Sequence, residues 1–483
     1  MKKFTLIIST IFIQILLSNV VYSQQYIVLA WNDLGMHCAN KDFSRICVLP
    51  PYNNVQAQII KKQTGQQPQI VVTGFKLDYY IPGNTYSVGK TNFWTYAQEL
   101  FGLPQPLPNN IGLTGSGLTG TFDTSGNGFI KTGVPVTPFQ DNNLNQEQPY
   151  QLIHLDARLI SNPGIILAFT DVVIPVSNEI GCVQSGCHSS EQSIKNEHED
   201  VPGFHQYSPE LCARCHASNA LGTVGDSIAK PLSYRIHEKH HDIQPINGIE
   251  TCYKCHPGPN TQCFRDTMRT SGMVCQNCHG TMQNIANSIL NGRRPWLDEP
   301  RCGATTCHGS VYSEESGKLY RMSKGHGGLY CSACHGSPHA IFPSREANDN
   351  LQNIRLQGHA GILRDCMVCH SSPPTGPGPH GIYYIGIKPI SNTIPNTYKL
   401  YQNYPNPFNP QTKIIFDLLK QSAVTLSIFD NLGRVIETPL SGMQINAGKY
   451  EYQWNADRFA SGIYFCRLAT EKYTRTIKMI LVR

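Results

Sequence analysis

Two neighbouring stretches decide the architecture of this chain, Cys252-Tyr-Lys-Cys-His256 and Cys275-Gln-Asn-Cys-His279. Both follow the pattern C-x-x-C-H, which occurs three more times, starting at Cys212, Cys331 and Cys366. Two cysteine thiols can add to the two vinyl groups of one haem, and the adjacent histidine then reaches the iron as its proximal ligand. Each repeat therefore predicts one covalently attached haem.

A longer version of the pattern, C-x-x-x-x-C-H, begins at Cys182 and at Cys302 and keeps the final histidine. Zinc is the alternative for paired cysteines, but a zinc ribbon does not require histidine after every second cysteine. The sequence thus predicts about seven molecules of haem c. The predicted attachment cysteines are Cys182, Cys187, Cys212, Cys215, Cys252, Cys255, Cys275, Cys278, Cys302, Cys307, Cys331, Cys334, Cys366 and Cys369, and the proximal ligands are His188, His216, His256, His279, His308, His335 and His370.

Each iron also needs a sixth ligand or an open position. Nine further histidines lie in the same part of the chain, which is enough for two histidines on every iron: His198, His205, His237, His240, His241, His326, His339, His359 and His380. His237, His240 and His241 have a spacing that would place three imidazoles along one face of a helix. Methionine is the rarer alternative as a sixth ligand.

The remaining chain indicates a multidomain protein of 483 residues. Residues 1–23 resemble an export signal, and residues 24–180 contain short β-branched runs typical of an all-β domain. Residues 181–380 contain the motifs but little long hydrophobic periodicity, so we expect short helices and loops packed around haems. Residues 381–397 are predicted to be a linker, and residues 398–483 an immunoglobulin-like β-sandwich.

The composition argues against a nucleic-acid-binding protein and against a membrane-spanning one. Charged residues make up 15% of the chain, and the net charge of +6 comes without a long basic run, so we expect no nucleic-acid binding. We also expect no membrane span in the mature chain. Cys38 and Cys47 flank a short loop and suggest a disulfide, while Met36, His37 and Cys38 offer soft ligands for copper as an alternative.

The motif segment resembles secreted multihaem cytochromes with paired C-x-x-C-H motifs. The resemblance covers about 180 residues, including Thr261-Gln-Cys-Phe-Arg265, Gly358-His-Ala-Gly361 and Gly378-Pro-His-Gly381. It implies that His339, His359 and His380 are distal ligands. The family often carries another histidine after its Gly-Pro-His-Gly, where this chain has Tyr383 and Tyr384.

The C-terminal part resembles type IX secretion sorting domains. The matching residues include Tyr404-Pro-Asn-Pro-Phe-Asn-Pro410, Phe429-Asp-Asn-Leu-Gly-Arg434 and Ser461-Gly-Ile-Tyr-Phe465. This resemblance implies contact with the type IX secretion machinery, passage across the outer membrane of a Gram-negative bacterium, and removal of the domain at the cell surface.

Three functions compete. The first is an electron carrier that passes electrons to redox partner proteins or extracellular acceptors at or beyond the outer membrane. The second is a multihaem oxidoreductase that acts on a small nitrogen or sulfur compound at an open haem site. The third is a binding protein that works through its β domain. Because all seven motifs end in histidine and spare histidines are plentiful, we favour the carrier over the catalyst.

Overall fold

The computed structural model describes residues 25–201, 204, 209–374, 378–381, 386–391 and 393–483. The predicted export signal and the candidate ligand His205 lie outside these residues. The described residues form several domains, with many β-strands and a few short helices.

The N-terminal part folds into two five-stranded sheets. Its elements are β1 (Tyr26–Asn32), β2 (His37–Cys38), β3 (Ile46–Cys47), β4 (Val55–Lys61), β5 (Gln69–Val71), β6 (Phe75–Tyr80), α1 (Phe93–Phe101), β7 (Thr119–Thr121), β8 (Asp123–Ser125), β9 (Gly128–Lys131), β10 (Tyr150–Leu159) and β11 (Ala168–Ser177). One sheet has the order β1-β4-β9-β8, with β5 also paired to β4, and the other has the order β2-β11-β10-β6-β7. Val28 and Ile59 of the first sheet pack against Leu77 and Ile153 of the second, which makes a β-sandwich core.

Strand β1 is buried on both faces. Val28 and Ala30 point into the sandwich, whereas Ile27, Leu29 and Trp31 point the other way. Alternation of side chains along a strand explains the two sets. The outward set packs against Ala333 and Val368 of the motif segment, residues 181–380, so the first sheet is also a wall for that segment.

The motif segment contains short helices joined by loops. Its elements are α2 (Glu191–Asn196), β12 (Glu210–Leu211), α3 (Leu232–Lys239), α4 (Ile249–Cys252), α5 (Thr267–Thr270), α6 (Cys275–His279), α7 (Met282–Leu290), α8 (Cys331–His335), α9 (Ala347–Gln357) and α10 (Cys366–Cys369), with 3-10 turns at Cys212–Arg214, Ser310–Tyr312, Tyr320–Met322, His326–Gly328 and Pro379–Gly381. Strand β12 pairs in parallel with β3, which joins the segment to the N-terminal part.

The C-terminal part is a sandwich of two four-stranded sheets. Its strands are β13 (Ile387–Ser391), β14 (Lys399–Leu400), β15 (Gln411–Leu418), β16 (Ser422–Phe429), β17 (Val435–Ile445), β18 (Gly448–Asn455), β19 (Gly462–Ala469) and β20 (Thr474–Leu481). The sheets have the orders β13-β18-β15-β14 and β17-β16-β19-β20, and Trp454 and Phe416 are fully buried between them.

Strand β13 differs from the sequence prediction, because it lies inside the predicted linker 381–397. It is an edge strand that pairs with β18. Pro389 within it gave the appearance of a linker, but proline is tolerated on an edge strand, where one backbone side needs no partner.

Candidate haem-binding cavity

The C-x-x-C-H motifs adopt one turn of helix. Helices α6 and α8 each span a whole motif, from the first cysteine to the histidine. In the Cys212, Cys252 and Cys366 motifs, the histidine N–H donates to the carbonyl of the first cysteine at 2.9–3.0 Å. One helical turn places positions i, i+3 and i+4 on one side, so both thiols and the imidazole leave the chain in the same direction.

The two longer motifs close in the same way despite two extra residues. The His188 N–H donates to the Cys182 carbonyl at 3.1 Å, and the His308 N–H donates to the Cys302 carbonyl at 3.2 Å. In both long motifs the N–H of the final histidine thus returns to the carbonyl of the first cysteine, as it does in the short motifs. The long motifs therefore present their cysteines and histidine as the short ones do.

One continuous cavity of about 2920 Å³ runs through the motif segment. Its volume exceeds the roughly 300–1,000 Å³ of a single small-molecule site. All fourteen motif cysteines and all seven motif histidines line it, together with apolar side chains such as Phe264, Ile285 and Leu329. The motif segment thus surrounds a space large enough for several cofactors rather than a side-chain core.

Six motif histidines each face a second histidine from elsewhere in the segment. The distances between ring centroids are 6.2 Å for His188 and His240, 6.1 Å for His216 and His198, 6.1 Å for His256 and His237, 6.1 Å for His279 and His339, 6.1 Å for His370 and His326, and 6.0 Å for His335 and His380. Every pair combines one motif histidine with one histidine outside the motifs.

This separation fits a metal ion held between the two rings. An imidazole nitrogen bonds a metal ion at about 2.0 Å, so two imidazoles on opposite sides of one iron place their ring centres about 6 Å apart. Aromatic rings in contact span about 4.5–7 Å between centroids, so what marks these six pairs is that each joins a motif histidine to a histidine outside the motifs. The six pairs therefore match the geometry of six irons with two histidine ligands each, and the cysteines beside each motif histidine match the attachment points of haem.

Hydrogen bonds set the tautomer of several of these rings. Nδ1 of His237 lies 2.7 Å from the Ser233 carbonyl, Nδ1 of His240 lies 2.7 Å from the Ile236 carbonyl, and Nδ1 of His216 lies 2.7 Å from the Lys230 carbonyl. A carbonyl oxygen only accepts, so Nδ1 carries the hydrogen and donates. Nε2 is then left with a free lone pair, which is the arrangement of a metal-ligating histidine.

Burial keeps four of the paired imidazoles neutral. It lowers the pKa of His256, His279, His335 and His339 to about 4, because a charged imidazolium loses its hydration inside the segment. Neighbouring histidines and arginines lower these pKa values further. At neutral pH these rings therefore offer lone pairs rather than positive charges.

Two of the facing histidines have an unusual backbone. His339 has φ of 64° and His380 has φ of 56°, in the left-handed region that residues other than glycine rarely adopt. Such strain persists only where the surroundings hold it, and it clusters at functional sites. Each of these histidines faces a motif histidine, and this placement is a reason for the strained backbone.

Two predicted ligands that the structure describes are not brought into a pair. His241 directs Nε2 to Asp242 Oδ1 at 2.9 Å and does not line the cavity, so the predicted helical face holds only His237 and His240. Nδ1 of His359 lies 2.8 Å from the Ala360 carbonyl, its Nε2 is buried without a hydrogen-bond partner, and it does not line the cavity. His205 lies outside the described residues.

The motifs follow one another through space. Gly181, next to Cys182, donates its N–H to the Cys255 carbonyl at 3.3 Å, and Gln276 donates to the Cys252 thiol at 3.5 Å. Leu363, just before the Cys366 motif, donates its N–H to the Cys334 carbonyl at 3.0 Å.

Charge interactions between cysteines show which of the other motifs are near one another. After burial, Cys182 is the strongest influence that raises the pKa of Cys212, to about 12, and Cys307 is the strongest that raises the pKa of Cys278. Burial raises the pKa of Cys302 to about 12, helped by Glu314 and Glu299 and, more weakly, by Cys331 and Cys278. Named by their first cysteines, the motifs joined by hydrogen bonds are Cys182 with Cys252, Cys252 with Cys275, and Cys331 with Cys366, and the charge interactions place Cys212 near Cys182 and Cys302 near Cys278 and Cys331.

The N-terminal part supplies cavity residues that the sequence analysis did not assign. Leu34 and Met36 line the cavity from the loop after β1. Arg265 holds this loop by donating to the Gly35 carbonyl at 2.7 Å. The unusual stretch Trp31–Cys38 was the available signal, but its sequence did not show that it meets the motif segment.

The disulfide between Cys38 and Cys47 predicted from the sequence is wrong. Both thiols are free, and the two residues lie in strands of different sheets. The copper alternative has no support either, because His37 Nε2 lies 3.0 Å from Asp33 Oδ1. Within the described residues there is no cluster of three or more histidine, cysteine or acidic side chains that could hold a metal ion.

No helix among the described residues has both the length and the apolar character needed to cross a bilayer. No curated protein matches the chain. Among solved structures that match is CopC from Methylosinus trichosporium OB3b, which is 14% identical, covers 18% of this chain and 91% of its own, and has a TM-score of 0.14. This likeness is too slight to support an argument about fold or function.

A family of known proteins matches the C-terminal part. Residues 402–483 match the secretion system C-terminal sorting domains, which confirms the predicted sorting domain over that range. The match implies interaction with the corresponding secretion machinery, secretion of the protein, and a location at the cell surface or outside the cell. Residues 402–483 are therefore a secretion system C-terminal sorting domain.

Proposed function

We propose that this protein is a secreted c-type cytochrome that binds about seven haems and carries electrons at or beyond the outer membrane. The observation that carries the proposal is the set of six histidine pairs, each with ring centroids 6.0–6.2 Å apart and each beside a cysteine pair. Bound haem would supply the reversible one-electron chemistry of its iron.

The residues of this chain have three tasks in that function. The cysteines fix each haem, and the paired histidines fill both axial positions, which favours electron transfer over catalysis at those irons. The contacts between motifs bring attachment sites next to one another. Ile27, Leu29 and Trp31 pack against Ala333 and Val368, so the first sheet shields the Cys331 and Cys366 motifs from water on that side.

The acceptors in this proposal are redox partner proteins or extracellular electron acceptors. The sorting domain supports such a location, because it directs the chain to the cell surface or beyond. A second candidate function is an oxidoreductase that acts on a small nitrogen or sulfur compound. One observation favours it. Among the described residues no second histidine faces His308, whereas each of the other six motif histidines has a facing partner.

A haem count tests the proposal directly. The purified full-length protein should give seven haems per polypeptide by the pyridine haemochrome assay, all retained after acid-acetone extraction. A variant with Cys302→Ala and Cys307→Ala should give six. A count of five in the unaltered protein would remove the two long motifs from the proposal, and a count near zero would reject it.

A further inference from the structure

The C-terminal sandwich forms part of the wall of the cavity. Strands β13, β15 and β18 contribute Lys388, Lys413, Glu451 and Gln453 to its lining. In the strand register Lys388 lies opposite Glu451, and Lys413 lies opposite Gln453. Because paired residues of neighbouring strands point to the same face of a sheet, these four side chains form one surface, which we call the polar face. The other face of the same sheet belongs to the sandwich core.

The polar face lies against the Cys366 motif. Nζ of Lys388 lies 3.1 Å from Oδ2 of Asp365, the residue that directly precedes Cys366. The other carboxylate oxygen of Asp365 accepts from the Met367 N–H at 3.0 Å and so holds the first turn of helix α10. One aspartate therefore joins the sandwich to the start of the motif.

Arg364, one residue earlier, makes a second approach to the sandwich. Burial raises the pKa of Tyr450 in β18, and the charge of Arg364 opposes that shift, so the guanidinium lies near the phenol. Arg364 and Tyr450 both line the cavity, as do Cys366, Cys369 and the sandwich residues named above. The sandwich thus borders the space in which the cysteines of this motif would hold a haem.

The opposite side of the Cys366 motif is held by the N-terminal part. Lys62 Nζ donates to the Met367 carbonyl at 2.5 Å, and Ser371 Oγ donates to the Gln63 carbonyl at 2.6 Å. Val368 is also buried against the first sheet. The motif is therefore enclosed between two β domains, of which only the second is a sorting domain.

The connection between the motif segment and the sandwich is short. His380 faces His335 of the Cys331 motif, and only residues 381–386 separate it from Ile387, the first residue of β13. A fully extended chain of that length spans at most about 25 Å. Since the Leu363 N–H also joins the Cys331 and Cys366 motifs, the intact chain keeps the sandwich beside both of them.

The contact itself is of a kind that can separate. The polar face carries charged and amide side chains, and the Lys388 side chain is 44% exposed in its ion pair with Asp365. Partly exposed ion pairs are weak and are screened by salt. Polar interfaces between domains of one chain permit relative motion. The short connection, more than the contact, holds the sandwich in place.

We propose that the sorting domain covers the haem site of the Cys366 motif, and that separating this domain from the motif segment opens the site to electron acceptors of protein size. The proposal rests on the proposed function, because it presupposes haem at this motif, with its iron between His370 and His326. Electron transfer slows steeply with distance, so a folded sandwich in front of a haem keeps a docked acceptor too far away. One domain then serves both secretion and closure of the carrier.

The test uses the full-length holoprotein with the recognition sequence of a site-specific protease inserted between Tyr384 and Ile385. The fully reduced protein is mixed with a small soluble ferric c-type cytochrome, and each acceptor molecule takes one electron from a ferrous haem. If the covered site is open about 10% of the time or less, cutting the chain should raise the rate of acceptor reduction about tenfold or more. The haem count should stay the same, because all seven motifs precede the cut.

Two sets of variants locate the effect. In Cys366→Ala/Cys369→Ala the increase on cutting should be lost, and an increase of the original size would overturn the proposal. In the uncut protein Lys388→Glu should repel Asp365 and raise the rate. Lys472→Glu makes the same change of charge at an exposed lysine of the same sandwich outside the cavity lining, and it should leave the rate unchanged. Equal effects of the two lysine variants would also overturn the proposal.

The remaining outcomes separate this proposal from the proposed function. Size-exclusion chromatography at high salt should show that the cut sandwich leaves the motif segment, and fragments that stay together would contradict a separable cover. Equal rates before and after the sandwich has left, with haem present, would overturn the proposal and leave the electron carrier intact. A purified protein without haem would reject the proposed function itself.

Discussion

The imidazoles of His188 and His240 face each other with ring centroids 6.2 Å apart, whereas the adjacent His241 turns its Nε2 to Asp242 at 2.9 Å. Two neighbouring histidines therefore have different roles, which gives a matched pair of variants. His240→Ala should convert one low-spin haem to high-spin. His241→Ala should leave the low-spin signals unchanged. Electron paramagnetic resonance of the two oxidised proteins measures this difference, and equal spectra would contradict the pairing.

The angles between the paired rings predict two kinds of low-spin iron. Three pairs are tilted by 32–39°, and three are closer to perpendicular at 68–76°. Parallel axial imidazoles split the iron d orbitals more strongly than perpendicular ones. The oxidised protein should therefore show both rhombic and strongly axial low-spin signals. His335→Ala and His256→Ala should remove a signal of the axial class and of the rhombic class, respectively.

A buried ion pair inside the motif segment holds the arginine that contacts the N-terminal part. Arg265 donates to both carboxylate oxygens of Asp349 at 2.6 and 2.9 Å, and it also donates to the Gly35 carbonyl. Both side chains are about 95% buried, since their exposed fractions are 4% and 5%. Asp349→Ala would leave the guanidinium buried without a counter-charge and should lower the free energy of unfolding by about 3–5 kcal/mol.

The matched control for Asp349→Ala is an exposed ion pair in the same segment. Arg214 and Glu210 lie 3.2 Å apart, and the arginine side chain is half exposed. Arg214→Ala should change the free energy of unfolding by only about 0–1 kcal/mol, because water screens the pair. Denaturant titrations followed by circular dichroism compare the two variants. A loss of the same size in both would argue against a special role for the buried pair.

The outward face of β1 should contribute to the stability of the motif segment. Leu29 is fully buried against that segment, in a cluster with Ala333 and Val368. Leu29→Ala should therefore cost about 2–5 kcal/mol, through lost burial and the cavity left behind. Ile160→Ala is the control on the same domain, because Ile160 is 62% exposed, and it should cost within about 0.5 kcal/mol. Equal denaturation midpoints for the two variants would contradict this interface.

Removal of the sorting domain should stop the chain before the cell surface. Because β13 pairs with β18 of that sandwich, a clean deletion begins at Ile387 rather than at residue 398. The shortened protein should accumulate in the periplasm with an unchanged haem count, as measured by haem staining of cell fractions. A matched control retains the sandwich and replaces the exposed Leu432 with Ala. Secretion of the shortened chain at the normal level would contradict the assignment of residues 402–483.

The prediction of a C-terminal sandwich succeeded because its signals are local: short alternating strands, each bounded by turn residues. The strand Ile387–Ser391 was missed for the same reason, since an edge strand with a proline has no strong local pattern. Helix α9 was also beyond prediction. Its buried positions include Asn350, Gln352 and Asn353, and Gln352 is buried because it accepts hydrogen bonds from Ala30 and Thr170 in the N-terminal part.

The sequence by itself determined the seven motifs, with their fourteen cysteines and seven final histidines, because each motif is a short local pattern. It also determined the sorting domain, through a dense local pattern. Only the tertiary structure decided which distant histidine meets which motif, that His241 and His359 stay out of the cavity, and that His308 has no described partner. These relations depend on contacts between segments far apart in the chain, which spacing within a motif does not encode.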